Sequence, residues 1–183
     1  MKAEERKQAL AARRALTPEQ RDINSLKIAT YLMTLPEVAE ANIILSYKAA
    51  DDEVDLSGFH TWARMNGKKL AFPVCNIEGR MEAFIPDSSA DFEEGQYGIM
   101  APIVERSRLI PPEEIDLVVA PLVAFDEKLN RCGHGKGYYD RYLHACNSAY
   151  KVGVAFEVQK LPSVTMEEFD IPLNMIISES NIY

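Results

Sequence analysis

The stretch Asn130–Leu143, NRCGHGKGYYDRYL, constrains this chain more than any other. Gly133, Gly135 and Gly137 alternate, with Lys136 between the last two. An apolar run, Leu117–Val119, precedes them, and a helix carrying Tyr138, Tyr139, Asp140 and Arg141 is predicted to follow. Glycines let backbone N–H groups approach an anion closely and adopt positive φ. A helix start adds unpaired donors and the positive end of a dipole. Lys136 adds a mobile point charge. These are the parts of a phosphate cradle, with Asp140 placed to hold a metal beside it. The same alternation can also serve only as a tight turn, so the loop alone leaves both readings open.

The rest of the chain fits an alternation of strands and helices. Residues 2–15 read as a basic helix. Thr17-Pro18-Glu19-Gln20 is a capping box, with Thr17 as N-cap and Pro18 at the first helical position. The helix that follows runs to about Met33 and should bury Ile23, Leu26, Ala29 and Met33. Ile43–Leu45 reads as a buried strand, and Asp55–Asn66 as a helix ended by Gly67. Leu70–Phe72 is a short strand stopping at Pro73, and Met81–Ile85 one stopping at Pro86. Residues 86–112 read mostly as loop. Ile115–Ala120, Lys151–Phe156 and Met175–Ile177 complete the strands. The pattern indicates an α/β three-layer sandwich, its mainly parallel central sheet flanked by helices. Ligands bind such sheets beyond the carboxyl ends of the strands. The glycine loop lies there, and so does the loop holding Tyr47, Lys48, Asp51, Asp52 and Glu53.

A chain of 183 residues is expected to form one domain, 1–183, with a substantial core. No apolar run approaches the roughly 20 residues that span a bilayer. The N-terminal stretch lacks the apolar segment of a signal peptide, so the cytosol is expected. Cys75, Cys132 and Cys146 form no C-x-x-C pair, which argues against a disulfide framework or a zinc site. Cys132 reads as a small buried thiol. A net charge of −8 disfavours nucleic acid and anionic membranes as partners. Lys2, Arg6, Lys7, Arg13 and Arg14 run against that charge, and a solvated face is the simplest reading of them. His60 and His144 should lie at the surface or be partly packed.

The segment DLVVAPLVAFDEKLNRCGHGKGYYDRYL, Asp116–Leu143, resembles the 5-formyltetrahydrofolate cyclo-ligase family, also called methenyltetrahydrofolate synthetases. RRALTPEQ, the Tyr47…Glu53-Val54-Asp55 segment and KLPSVTMEEFDIPL support the likeness in the same order along the chain. The resemblance implies an ATP- and Mg²⁺-dependent conversion of 5-formyltetrahydrofolate to 5,10-methenyltetrahydrofolate with release of ADP and phosphate. It implies nucleotide contacts from Lys2, Arg6, Arg131, Cys132, Gly133, His134, Gly135, Lys136, Gly137, Tyr138 and Tyr139. Lys136 and Arg131 would be catalytic. Lys48, Glu53, Tyr97 and Tyr138 would meet the folate, and Asp140 and Asp170 the metal. A monomer is expected.

Cys132 replaces a leucine common in the family, His134 sits at a variable position, and Ala101 stands where many members have Glu before Pro102. None of these removes a group that the chemistry requires. Two rivals stay open: a nucleotide-binding paralogue or regulator without folate turnover, and a sugar-phosphate isomerase needing no ATP.

Overall fold

Three short apolar segments, each buried on both sides, build the centre of the molecule. A computed structural model describes the backbone of residues 1–183 and every side chain except that of Tyr97. The helices are α1 (Lys2–Arg14), α2 (Pro18–Thr34), α3 (Pro36–Glu40), α4 (Ser57–Met65) and α5 (Tyr138–Ala145). The strands are β1 (Ile43–Leu45), β2 (Lys69–Cys75), β3 (Met81–Pro86), β4 (Phe92–Glu94), β5 (Met100–Pro102) and β6 (Ser107–Ile110). They continue with β7 (Leu117–Pro121), β8 (Ala124–Phe125), β9 (Arg131–Cys132), β10 (Tyr150–Val154) and β11 (Met175–Ile177).

Among the described residues, seven strands form the central sheet in the order β11-β10-β7-β1-β2-β3-β6. Pairing is parallel from β11 to β2 and antiparallel from β2 through β3 to β6. The fold is thus a mixed α/β sandwich with a mostly parallel sheet, as the alternating pattern predicts. Successive side chains leave a strand on opposite faces. Ile44, Leu117 and Val119 therefore pack with Ile28, Leu32 and Phe59 of the α2–α4 layer. Ile43, Leu45, Val118 and Ala120 pack with Tyr142 and Leu143 of α5. A small third cluster joins Ala9 of α1 to the β8–β9 hairpin through Val123, Ala124 and Cys132.

Four local expectations change. The capping box forms as predicted, but α2 buries Ser25, Ile28, Ala29 and Leu32. Ile23 and Leu26 are 50% and 67% exposed. Ser25 faces inward because its Oγ accepts the Asp55 N–H at 3.1 Å, a bond that a reading of apolar spacing overlooks. Strand β2 runs through Pro73 to Cys75. Lys69 N–H donates to Asn42 and the Ala71 carbonyl accepts from Ser46, so odd residues face β1. At Pro73 that neighbour has already ended, and the missing donor costs no ladder bond. Residues 86–112 contain β4, β5 and β6, with β6 extending the central sheet. His60 is buried at 3% exposure, its Nε2 sharing a 2.8 Å hydrogen bond with Ser46 Oγ.

Candidate active site

One face of α1 braces the site. Lys2, Arg6, Ala9 and Arg13 recur at intervals of three and four and so share that face. Ala9 is fully buried against the β8–β9 hairpin. Lys2 pairs with Asp170 and lies 3.3 Å from Glu167. Burial works against the Lys2 charge, but hydrogen bonds to those two carboxylates outweigh it and raise the pKa. Glu5 accepts the Thr165 N–H at 3.1 Å. Arg6 Nε donates to the Gly133 carbonyl at 2.8 Å. The expectation of a solvated basic face therefore fails for Arg13, which is 2% exposed, and holds for Lys7 and Arg14.

The glycine loop runs from β9 into α5, and two of its glycines are needed for shape. Gly135 and Gly137 have φ of 88° and 68°, the left-handed region that side chains with a Cβ rarely adopt. A Cβ on Gly137 would lie 2.7 Å from Arg141 Nη1, and one on Gly135 would lie 3.1 Å from Arg6 Cζ. Arg141 closes the turn by donating to the Lys136 carbonyl at 3.0 Å and to the Gly79 carbonyl at 2.8 Å. Arg131, 2% exposed, pairs with Asp140 through Nη2. Its Nε is buried without a hydrogen-bond partner among the described residues, and so is the Tyr139 hydroxyl. Burial also pushes the Tyr139 phenol above its usual pKa range.

Opposite the loop, the segment after β1 carries Tyr47, Lys48, Asp52 and Glu53. Tyr47 donates to the Val54 carbonyl at 2.8 Å. Lys48 Nζ lies 4.4 Å from the centroid of the Phe92 ring, and burial together with the Arg64 charge lowers its pKa. The Glu53 side chain is 8% exposed. Its Oε2 accepts the Ala50 N–H at 3.1 Å, and its Oε1 lies 3.2 Å from His134 Nε2 of the glycine loop. The two segments thus meet across one cleft of about 500 Å³ at the carboxyl ends of β1, β2 and β7.

The geometry has a counterpart in known proteins. The sequence profile of the 5-formyltetrahydrofolate cyclo-ligase family matches residues 1–179. The chain belongs to that family. The 5-formyltetrahydrofolate cyclo-ligase of Escherichia coli K12 is 31% identical over 176 residues, 93% of this chain and 96% of that protein. The NMR structure of Aquifex aeolicus 5,10-methenyltetrahydrofolate synthetase superposes with a TM-score of 0.86 at 33% identity, covering 99% and 91% of the two chains. A Mycoplasma pneumoniae 5,10-methenyltetrahydrofolate synthetase superposes with a TM-score of 0.80 at 25% identity, covering 97% and 98%. This cyclo-ligase-family chain is therefore an enzyme of the ligase class, acting in folate metabolism.

Most of the residues singled out from the sequence line the cleft of this family member. Lys48, Glu53, Arg131, Gly133, His134, Gly135, Lys136, Gly137, Tyr138, Tyr139 and Asp140 all do. Cys132 lies behind the loop, buried at 2% exposure, and burial raises its thiol pKa. Lys2, Arg6 and Asp170 stand outside the cleft wall, joined to it through α1. Asp140 and Asp170 are held by different cations, Arg131 and Lys2. The side chain of Tyr97 lies outside the described residues. Sequence reasoning missed Arg13 and Asp52, whose signal was the helical spacing from Lys2 and Arg6 in one case and adjacency to Glu53 in the other. It also missed Gln96, Ile99 and Met100, which reach the cleft from the turn between β4 and β5 and the first residue of β5, a segment that carries no motif.

Proposed function

We propose that this chain converts 5-formyltetrahydrofolate to 5,10-methenyltetrahydrofolate, consuming ATP with Mg²⁺ and releasing ADP and phosphate. The observation that carries this reading is the 3.2 Å approach of His134 to Glu53. It puts the glycine loop and a buried carboxylate on facing walls of one cleft. The loop suits a triphosphate. The carboxylate suits the paired N–H groups of a pterin.

The chemistry requires both ligands together. An amide oxygen is a poor leaving group. The formyl oxygen attacks the γ-phosphorus, and the bond from that phosphorus to ADP breaks. N10 then attacks the formyl carbon and loses its proton. Phosphate departs with the electron pair of the C–O bond, closing the methenyl ring. Lys136 and Arg131 oppose the negative charge that spreads over the phosphoryl oxygens. The unpartnered Nε of buried Arg131 is a donor available to one of them. Glu53 would orient the pterin, and Tyr138, which lines the same cleft, would contact either ligand.

We assign the magnesium ion to Asp140. That carboxylate lines the cleft and gives Oδ1 to Arg131. One carboxylate with phosphate oxygens and water is a normal Mg²⁺ shell. Asp170, paired with Lys2 outside the cleft wall, would be the second carboxylate. When bound, Mg²⁺ offsets charge on the triphosphate.

We read the chain as one catalytic domain acting as a cytosolic monomer without nucleic-acid or membrane partners. Three free cysteines and a net charge of −8 support this. Among the described residues, no helix is long and apolar enough to cross a membrane.

The test is turnover of 5-formyltetrahydrofolate, followed by the ultraviolet absorbance of the methenyl product. Product that needs both ATP and Mg²⁺ is expected. ATP binding without product would favour the regulator, and product without ATP would overturn the phosphorylation step.

A further inference from the structure

Arg13 belongs neither to the glycine loop nor to the acidic turn, yet it lines the cleft between them. Its side chain is 2% exposed. A guanidinium is taken out of water only where carboxylates compensate it. Arg13 Nη2 donates to Asp52 Oδ1 at 2.8 Å, and Nη1 lies 3.9 Å from Glu53 Oε1. Arg14 adds a weaker, exposed contact to Asp52 at 3.4 Å.

Two adjacent carboxylates, Asp52 and Glu53, thus turn toward one guanidinium. Within its own turn, Glu53 is fixed by the Ala50 N–H alone. Its partner on the other wall, His134, is exposed. Arg13 is the cation that approaches Glu53 from a separate, anchored element. A purely structural arginine would complete its hydrogen bonds with protein. Arg13 Nε is buried and has no such partner among the described residues.

We propose that Arg13 is the positioning residue for Glu53, holding that carboxylate in the orientation that receives the pterin. The proposal rests on Glu53 being the folate-binding acid. It divides α1 into two functional ends: Lys2 and Arg6 serve the nucleotide, and Arg13 serves the folate.

The experiment is two-substrate steady-state kinetics on Arg13→Met, Arg13→Lys, Arg6→Met and Glu53→Gln, with ATP affinity measured by calorimetry. Arg13→Met should raise the KM for 5-formyltetrahydrofolate about tenfold or more, because removing a buried guanidinium leaves Asp52 and Glu53 without their shared cation. ATP affinity should stay within about twofold. Arg13→Lys should recover part of the loss, because it restores the charge without the planar fork. It also keeps the test valid if Arg13→Met does not fold. Arg6→Met should show the reverse split. Equal rises in both KM values for the Arg13 variants would overturn the proposal, and so would a lowered melting temperature with unchanged kinetics. If Glu53→Gln leaves folate KM unchanged, the assignment of Glu53 itself fails. If Glu53→Gln raises it and the Arg13 variants do not, the positioning role alone fails.

Discussion

The two walls of the cleft are built in opposite ways. The glycine-loop wall, proposed to take the nucleotide, is nearly one continuous segment, Arg131–Asp140, shaped by two left-handed glycines and closed by Arg141. The wall proposed to take the folate is assembled from separate pieces: the turn after β1, Pro73 and Cys75 of β2, Gln96, Ile99 and Met100, and Arg13 of α1. A contiguous wall stores its geometry in local backbone conformation. An assembled wall stores it in long-range contacts and buried charge. The first should fail by losing chemistry or backbone fit, and the second by losing substrate affinity.

The largest effect should come from the contiguous wall. Lys136→Ala removes the charge proposed to oppose the transferred phosphoryl group. Its kcat should fall by roughly 10²–10³, the loss typical for one transition-state donor. The folate KM should hardly move. A comparable rise in folate KM would mean the walls are not separable.

Glu53→Gln probes the assembled wall. It keeps the shape and removes the acceptor charge. The folate KM should rise about ten- to a hundredfold, with ATP affinity close to wild type. Parallel titrations with each ligand check this. Equal weakening of both ligands would break the comparison.

Gly137→Ala tests whether the loop's geometry is local. A non-glycine residue at φ 68° costs about 1–2 kcal/mol, and its Cβ must also displace Arg141. Denaturant unfolding should show that loss, together with a raised ATP KM. An unchanged stability would mean that the loop relaxes freely.

The last test is a pH dependence of stability at the buried His60, away from the cleft lining. Burial, together with the charges of Lys48 and Arg64, holds the His60 pKa down to about 3. The unfolded chain takes up that proton near pH 6.5. The folded state binds it less readily, so this contribution to stability is complete above about pH 6.5. It is lost as the pH falls from there toward about 3, at up to about 1.4 kcal/mol per pH unit. Chemical denaturation across that window, compared with His60→Gln, measures it. The variant should show the shallower slope.

The same contrast explains what the sequence disclosed. Strand and helix alternation, the capping box at Thr17 and the glycine loop are local, and each was legible. Pro73 misled because a proline stops a strand only where its missing donor faces a neighbour. Ser25 and His60 misled because their polar atoms are satisfied by Asp55 and Ser46, partners far along the chain. Arg13 looked solvated for the same reason: its compensating carboxylates lie on another element. At the candidate site, the glycine-loop lining of the cleft was nearly complete in the sequence. The opposite wall yielded Lys48 and Glu53 but not Arg13, Gln96, Ile99 or Met100, which line the cleft beside them.

The account stands on the two walls meeting in one reaction, the transfer of a phosphoryl group to the formyl oxygen. Substrate labelled with oxygen-18 in the formyl group tests this directly when the released phosphate is analysed by mass spectrometry. Each phosphate should carry one labelled oxygen, since that atom leaves with phosphorus as the ring closes. Unlabelled phosphate alongside methenyl product would contradict the account, because ATP would then be cleaved without touching the folate.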